Sequence, residues 1–164
     1  MIALKSVLVA TDFGEASDAA LAYGREMARA FGATLHVLHV ADDVYVRLGG
    51  DAYVTVLPEL QKDLEEAAQK RLNDLLVDND PKPIPVKKAV VTSSATATCI
   101  VQYARDHDIN LIIVGTHGRG AMAHLLMGSV AERVVRTAPC PVLTVRQNER
   151  DFVVPDALTT TARA

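Results

Sequence analysis

The chain has 164 residues, of which 49% are hydrophobic, 23% are charged and 4% are aromatic, and its formal net charge is −3. This length fits one domain, which buries roughly 70% of the surface that its unfolded chain exposes. Nucleic-acid binders rely on Lys and Arg against phosphates and on stacked aromatic rings, so the composition argues against that class. With no tryptophan and three phenylalanines, the core is expected to consist of Val, Leu, Ile and Ala.

The cysteines and the N-terminus bear on the compartment. Cys99 and Cys140 form no CxxC motif and no disulfide framework, which favours a reduced cytoplasm. The apolar run at residues 7–10 is too short for a signal sequence. No apolar stretch approaches the roughly 20 residues that a membrane span needs. We therefore expect a cytoplasmic protein that is not embedded in a membrane.

The N-terminal part of the chain predicts a strand, a helix and a second strand. Residues 7–10 form an apolar run typical of a strand covered on both faces, and residues 33–40 form another. Gly32 is well placed as the stop signal of the helix between them. The helix is predicted by one apolar stripe of Ala20, Leu21, Gly24, Met27, Ala28 and Phe31.

A second helix and a third strand follow a long connection. Residues 41–57, which contain Gly49-Gly50, exceed the usual 4–6 residues of a connection, so we expect either a mobile lid or a disordered loop. Residues 86–91 predict a strand, and its lysines place it toward a sheet edge. Between them Pro58 lies near the start of a helix whose stripe is Leu60, Leu64, Ala68, Leu72 and Leu75.

The last part of the chain continues the alternation. Residues 111–114 and 141–145 predict strands. One helix is indicated by Ala97, Ile100, Val101 and Ala104, with Ser93 or Ser94 as N-cap, and another by Val130, Val134, Val135 and Ala138. This order predicts a parallel α/β sheet with helices on both faces. Residues 147–164 show no helical stripe, so we expect one domain at 1–146 and a flexible C-terminal tail.

A glycine-rich stretch from Gly115 to Ser129 links the most apolar strand to the last helix. Ligands of open α/β sheets bind outside the carboxyl ends of strands, where the strand order reverses. Open N–H groups at Gly128, Ser129 and Val130 would point at an anion, and a helix N-terminus stabilises negative charge by roughly 0.3–1 kcal/mol. Ordinary turn and cap residues explain the same glycines, so the spacing alone leaves both interpretations open.

Other known signatures fit poorly. The chain has no GxxxxGK[ST] motif, and Gly118-x-Gly120-x-x-Ala123 lies too late in the chain for a dinucleotide fingerprint. His36 and His39 point to opposite faces of a strand. The remaining histidines show no HxxxH spacing, and no Gly-x-Ser-x-Gly elbow exists for Ser129 to act as a nucleophile.

The pattern Gly115-x2-Gly118-x9-Gly128-Ser129 resembles the ATP-binding signature of the universal stress protein family. Residues 7–13 (VLVATDF), the strand ending at His39-Val40, residues 111–118 (LIIVGTHG) and residues 140–146 (CPVLTVR) are also similar to that family. The resemblance covers about residues 3–146. It departs at Thr92-Ser93-Ser94, where the family often has Gly-x-Pro before the third helix.

The resemblance implies an open five-stranded parallel sheet of order 3-2-1-4-5, like that of the adenine-nucleotide α-hydrolases. The nucleotide, ATP or else ADP or AMP, would lie in the crevice between the first and fourth strands. Ala10, Thr11 and Asp12 would lie beside the ribose and adenine, and the Val40 backbone would bind the adenine edge. The ribose and phosphates would be held by Gly115, Gly118, Gly128, Ser129 and Val130, with Mg²⁺ or Mn²⁺ bridging phosphate oxygens.

Asp12 and two further candidate site residues, His117 and Arg119, have alternative interpretations. Arg119 would add charge to the phosphates or remain a solvated loop residue. His117 would pack near the ribose, rather than act as a ligand or base. Asp12 has an alternative interpretation as a turn or capping residue after its strand.

The function that the resemblance implies is a cytoplasmic, ATP-binding stress-response regulator with an unknown protein partner. In this family the last strand pairs with its symmetry mate, which here implies a homodimer through Val142, Leu143, Thr144 and Val145. No catalytic base or nucleophile is evident, so we expect no enzyme, although slow ATP hydrolysis stays open.

Two other functions are weighed against this one. An adenine-nucleotide hydrolase or AMP-transferring enzyme of the same fold usually carries an SGGxDS-like loop or an HxGH motif, and neither occurs here. A phospho-accepting receiver domain would need an acid adjacent to Asp12 and a lysine where Arg146 stands.

Overall fold

The computed structural model describes residues 3–48, 56–76, 83–116 and 127–146. Strands and helices alternate along these residues, except that two helices follow the second strand. The strands are β1 (Ser6–Ala10), β2 (Thr34–Ala41), β3 (Val86–Thr92), β4 (Leu111–Gly115) and β5 (Val142–Val145). The helices are α1 (Glu15–Phe31), α2 (Val44–Arg47), α3 (Leu57–Leu75), α4 (Thr96–Asp106) and α5 (Ser129–Thr137).

The strands form one parallel sheet of order β3-β2-β1-β4-β5, which confirms the predicted fold class. The chain first builds outward from β1 to β3 and then returns to the other side of β1 with β4 and β5. The strand order therefore reverses between β1 and β4, where Ala10 is registered with Val114. In open α/β sheets this is the position where ligands bind.

Apolar cores lie on both faces of the sheet. In β1 the side chains of Val7 and Val9 face α1 and α3, whereas Leu8 faces α4 and α5, and all three are fully buried. This alternation explains why the central strands are continuous apolar runs. Helix α1 lies close to β1 because Gly24 has no side chain: a Cβ there would lie 2.3 Å from Val9 Cγ2. The predicted stop signal is confirmed, since Gly32 caps α1 with a left-handed φ of 64°.

The stripe predicted for α3 is partly wrong. Leu60 and Leu64 are exposed, and the N-terminal half of the helix instead buries Leu57 and Gln61. The reason is the position of α3 relative to the sheet. Thr92, the last residue of β3, donates a hydrogen bond from its Oγ1 to Glu65 Oε1 at 2.6 Å, so the first two turns of α3 project beyond the carboxyl end of β3.

Two details of the later helices also differ from the prediction. The N-cap of α4 is Ala95 rather than Ser93 or Ser94, and the Ser93 hydroxyl accepts the Ala95 N–H at 3.1 Å in the turn before the helix. Helix α5 buries Ala131 and Val134 but leaves Val130 and Val135 exposed. This short helix at the margin of the sheet buries only a narrow stripe.

The long connection after β2 contains regular structure. Residues 44–47 form α2, and the side chain of Asp43 caps this helix by accepting the N–H groups of Tyr45 and Val46. This described part forms a helix rather than a disordered loop, and the mobile lid stays a prediction. Residues 49–55 and the predicted tail at 147–164 lie outside the described residues, and the division into a domain and a tail stays a prediction.

Candidate functional site

Thr11 forms the turn that follows β1. Its N–H donates to the Leu38 carbonyl at 2.9 Å, which ties the end of β1 to β2. Its Oγ1 accepts the Phe13 N–H at 3.0 Å and lies 3.1 Å from Ser17 Oγ, in the first turn of α1. The side chain of Thr11 is buried, so this residue holds the turn together at the point where Ala10 ends the strand.

Asp12 lies half-buried in the same turn. Its Oδ1 accepts the N–H of Gly14 at 3.0 Å, which is the geometry of an Asx turn. The turn interpretation of Asp12 is therefore confirmed. Its contact with a ribose stays a prediction.

Gly115 ends β4 on the opposite side of the crevice. A Cβ at this position would lie 2.8 Å from the Ala16 carbonyl carbon and 2.9 Å from its Cβ and oxygen. Real Cβ atoms do not approach backbone atoms so closely, so a glycine is required for β4 to reach the start of α1. Packing at the crevice therefore requires a glycine here. The sequence pattern alone could not show whether this glycine serves packing or contact with a ligand.

Helix α5 presents its N-terminus at the far side of the crevice. Its N-cap, Gly128, donates its N–H to the Thr116 carbonyl at 2.6 Å, so the expectation that this N–H is open is wrong. Ser129 and Val130 are exposed and begin the helix. Their N–H groups have no acceptor within the helix and carry its positive dipole end.

Val40 lies where β2 continues past β1. The registered β1–β2 pairs end at Ala10 with Leu38, whereas β2 runs on to Ala41. Leu38 faces β1, since its carbonyl accepts the Thr11 N–H, and the period of two places the Val40 peptide groups on the same side. Among the described residues neither the N–H nor the C=O of Val40 has a hydrogen-bond partner on that side. One donor and one acceptor are thus open beside the crevice.

Three predicted site residues, His117, Gly118 and Arg119, lie outside the described residues. In the ranges that the structure covers, no group of three or more His, Cys, Asp or Glu side chains could hold a metal ion. Within the same ranges, no helix combines the length and the apolar character that a transmembrane segment requires.

Sequence reasoning missed a stack of three side chains under the crevice. Phe13 adopts a left-handed φ of 60°, which non-glycine residues rarely do. Its ring lies 4.4 Å from the ring of His39 and 4.5 Å from Arg71 Cζ on α3. No local sequence signal marks these contacts, because His39 and Arg71 come from β2 and α3 and are distant from Phe13 in the chain.

Sequence reasoning also missed Gln61, which is 8% exposed. Its Oε1 accepts the Val44 N–H at 3.0 Å, and its Nε2 donates to Glu65 Oε1 at 3.0 Å and to the Asp42 carbonyl at 3.3 Å. The available signal was its spacing, since a polar residue four positions after Leu57 falls on the buried face of α3.

Comparisons with known proteins agree with this architecture. A family model described as the Universal stress protein family matches residues 3–146. The "Universal stress protein in QAH/OAS sulfhydrylase 3'region" of Thermus aquaticus is 33% identical over 142 residues, which is 87% of this chain and 98% of the relative.

Solved structures show the same fold. The MJ0577 protein of Methanocaldococcus jannaschii is 27% identical with a TM-score of 0.76, covering 90% of this chain and 99% of its own. UspA from Lactobacillus plantarum is 27% identical with a TM-score of 0.72, covering 89% and 100%. A more distant universal stress protein, solved in complex with cAMP, is 21% identical with a TM-score of 0.58, covering 88% and 98%.

Proposed function

This chain belongs to the universal stress protein family, and we propose that it binds an adenine nucleotide at the carboxyl end of its sheet. The observation that carries the proposal is the open N–H and C=O pair of Val40 beside the crevice between β1 and β4. Adenine presents an amino donor next to ring-nitrogen acceptors, whereas guanine presents an acceptor oxygen where adenine has the amino group. The open N–H and C=O of Val40 match this adenine edge. Guanine, whose O6 accepts and whose N1–H donates, would meet the same two groups only after the base shifts within the crevice.

The phosphates lie toward α5 in this proposal. The N–H groups of Ser129 and Val130 and the helix dipole supply charge complementarity without a basic patch, which suits a chain with a net charge of −3. By the family resemblance, His117, Gly118 and Arg119 would contribute to this side, and Mg²⁺ or Mn²⁺ bound with the nucleotide would neutralise part of the phosphate charge. A relative of the same fold was solved with cAMP, also an adenine nucleotide, and this supports the ligand class.

The protein acts as a cytoplasmic regulator rather than a catalyst in this proposal. Thr11 and Ser17 hold each other in the turn after β1, so neither hydroxyl is set up as a nucleophile beside a base. The proposed homodimer pairs through β5, an edge strand in which Val142, Leu143 and Thr144 are partly exposed and Val145 is buried. The proposed unit is the domain at 1–146, and steady-state ATP hydrolysis is expected to stay below about 1 s⁻¹.

A proline substitution tests the phosphate side of this proposal. Ser129→Pro removes one N–H at the first helical position, where proline is well tolerated, and Gly128 has the φ of −71° and ψ of 151° that a residue before proline prefers. We expect Mg-ATP to bind about ten- to hundredfold more weakly, since hydrogen bonds to charged groups are worth about 1.5–3 kcal/mol.

The matched control is Ser129→Ala, which keeps the N–H and is expected to bind Mg-ATP like the unmodified protein. Calorimetric titration measures all three proteins. If the unmodified protein takes up no adenine nucleotide, the proposal is wrong. Equal affinity of Ser129→Pro and Ser129→Ala would remove α5 from the site.

A further inference from the structure

We propose that His39 is a positioning residue for the adenine edge, because it occupies the backbone acceptor that would otherwise pair with the Val40 N–H. This inference rests on the proposed function for its ligand, but its structural part concerns the free protein. The imidazole Nδ1 lies 2.8 Å from the Thr11 carbonyl oxygen. A carbonyl only accepts, so Nδ1 carries the hydrogen and donates it.

The ladder between β1 and β2 shows what this hydrogen bond replaces. In a pair of parallel strands, a residue that bonds across the pair donates its N–H to one residue of the neighbouring strand. Its C=O accepts the N–H of the residue two positions further along that strand. The last such bond here joins the Thr11 N–H to the Leu38 carbonyl. The next bond would join the Val40 N–H to the Thr11 carbonyl, and the His39 side chain takes that carbonyl instead.

Phe13 prevents the same ladder from continuing on the carbonyl side of Val40. Its N–H, which would reach the Val40 carbonyl in a regular ladder, donates to Thr11 Oγ1 at 3.0 Å. The left-handed φ of 60° at Phe13 then turns the chain away from the sheet and into α1. The N–H and the C=O of Val40 are therefore both left without a partner on this side. The causes are the side chains of His39 and Thr11 and the turn at Phe13.

The imidazole is held in place from outside. The Phe13 ring lies over it with centroids 4.4 Å apart and an interplanar angle of 34°, and Arg71 Cζ lies 4.5 Å from the Phe13 ring centroid. The three groups come from the turn after β1, from β2 and from α3. This stack fixes the direction of the Nδ1–H bond toward Thr11.

Loss of the imidazole is expected to extend the ladder by one bond. In His39→Leu the Thr11 carbonyl becomes available, and the Val40 N–H pairs with it. One of the two hydrogen bonds to adenine is then lost, which weakens ATP binding about tenfold, whereas the affinity for inorganic tripolyphosphate does not change. His39→Asn restores the function, because Asn Nδ2 stands the same number of bonds from Cα as His Nδ1 and can donate.

The experiment combines two readouts on the full chain. Calorimetry gives the affinities for ATP and tripolyphosphate of the unmodified protein, His39→Leu and His39→Asn, with His107→Asn as a control at the opposite end of the sheet. Amide hydrogen exchange of Val40 without nucleotide reports the ladder directly. We expect slower exchange in His39→Leu than in the unmodified protein and in His39→Asn.

The two readouts separate the inference from the proposed function. If the unmodified protein binds no adenine nucleotide but the Val40 amide slows in His39→Leu, the proposed function is wrong and the role of His39 in the ladder stands. If ATP binds but His39→Leu keeps the unmodified affinity, the inference is wrong. It is also wrong if His39→Asn loses as much affinity as His39→Leu, because the hydrogen bond is then not the cause.

Discussion

His36 and His39 lie three residues apart in β2 and on opposite faces of the sheet, and their surroundings differ. His36 is 2% exposed, and its Nδ1 lies 3.1 Å from the Tyr103 hydroxyl on α4. Burial lowers the pKa of His36 to about 4, with smaller contributions from Lys87 on β3 and His107 at the end of α4. His39 is half-buried at the open end of the strand and binds the Thr11 carbonyl.

This difference separates a residue of the fold from a residue of the candidate site. The His36 ring is enclosed within the fold, with the rings of Tyr103 and His107 at centroid distances of 5.8 and 5.7 Å. The hydrogen bond of His39 instead determines which backbone groups remain open to a ligand. Substitutions near His36 should therefore change stability alone, and substitutions at the carboxyl end should change stability and binding together.

The largest expected effect is the acid sensitivity of the His36 region. The pKa of His36 in the folded protein, about 4, lies below the ordinary value of about 6.5 in the unfolded chain. Between these values the unfolded chain binds the proton and the folded one does not, so stability falls as the pH drops from about 6.5 to 4. The loss amounts to about 3 kcal/mol of unfolding free energy.

Chemical denaturation at several pH values measures this loss. His36→Phe removes the titrating ring, and the difference between its profile and that of the unmodified protein isolates His36 from the carboxylates that titrate nearby. A difference that stays constant from pH 7 to pH 4 would contradict the assignment.

The next effect is expected at the open end, from Gly115→Ala. The added Cβ would lie 2.8 Å from the Ala16 carbonyl carbon, so β4 and the start of α1 must separate. We expect the unfolding free energy to fall by about 2 kcal/mol, the range of overpacked interiors, and nucleotide binding to weaken with it. Unchanged stability in urea denaturation would show that α1 can move without cost.

A smaller effect is expected from Gln61→Leu, which leaves the Val44 N–H and the Asp42 carbonyl without their partner. Lost partners of this kind cost about 1–3 kcal/mol. The matched control is Gln69→Leu on the exposed face of α3, with a change below about 0.5 kcal/mol.

A charge swap tests whether the Gln61 network itself is responsible. Gln61→Glu places a second carboxylate beside Glu65 and should destabilise the protein at neutral pH. Adding Glu65→Gln restores a donor between the two positions and should recover part of the loss. No recovery in the double variant would indicate that packing, not the network, accounts for the effect.

The smallest effect is expected from Lys62→Ala. The ammonium of Lys62 lies 3.6 Å from Glu66 Oε1, and both side chains are exposed. Such pairs contribute about 0–1 kcal/mol, so thermal denaturation should show almost no shift. A loss comparable to that of Gln61→Leu would contradict the view that α3 is held by its buried face.

The sequence predicts most of the fold because the fold follows from local patterns. The apolar runs at 7–10 and 111–114 identify strands covered on both faces, and Gly32 marks the end of α1. The exposure of Leu60 and Leu64 could not be predicted, since it depends on where β3 ends beneath α3. An apolar stripe indicates which residues share one face of a helix. It does not indicate how much of that face the sheet covers.

The candidate site was predicted less completely. The resemblance implies that Val40 lies at the adenine edge, which stays a prediction; the structure adds that its N–H and C=O have no partner on the β1 side among the described residues. The resemblance could not show that the Thr116 carbonyl takes the Gly128 N–H, because that contact depends on how the chain returns from β4 to α5. Likewise, the contacts of the Phe13 ring with His39 and Arg71 join residues that are distant in sequence.

The claim that backbone groups at this crevice recognise an adenine nucleotide is tested most directly by calorimetric titration with Mg-ATP and with Mg-GTP. Any copurified nucleotide is first removed and identified. We predict one site per chain and an affinity for ATP about tenfold or more above that for GTP, a difference of about 1.4 kcal/mol. Equal affinities for the two nucleotides, or no binding of either, would contradict it.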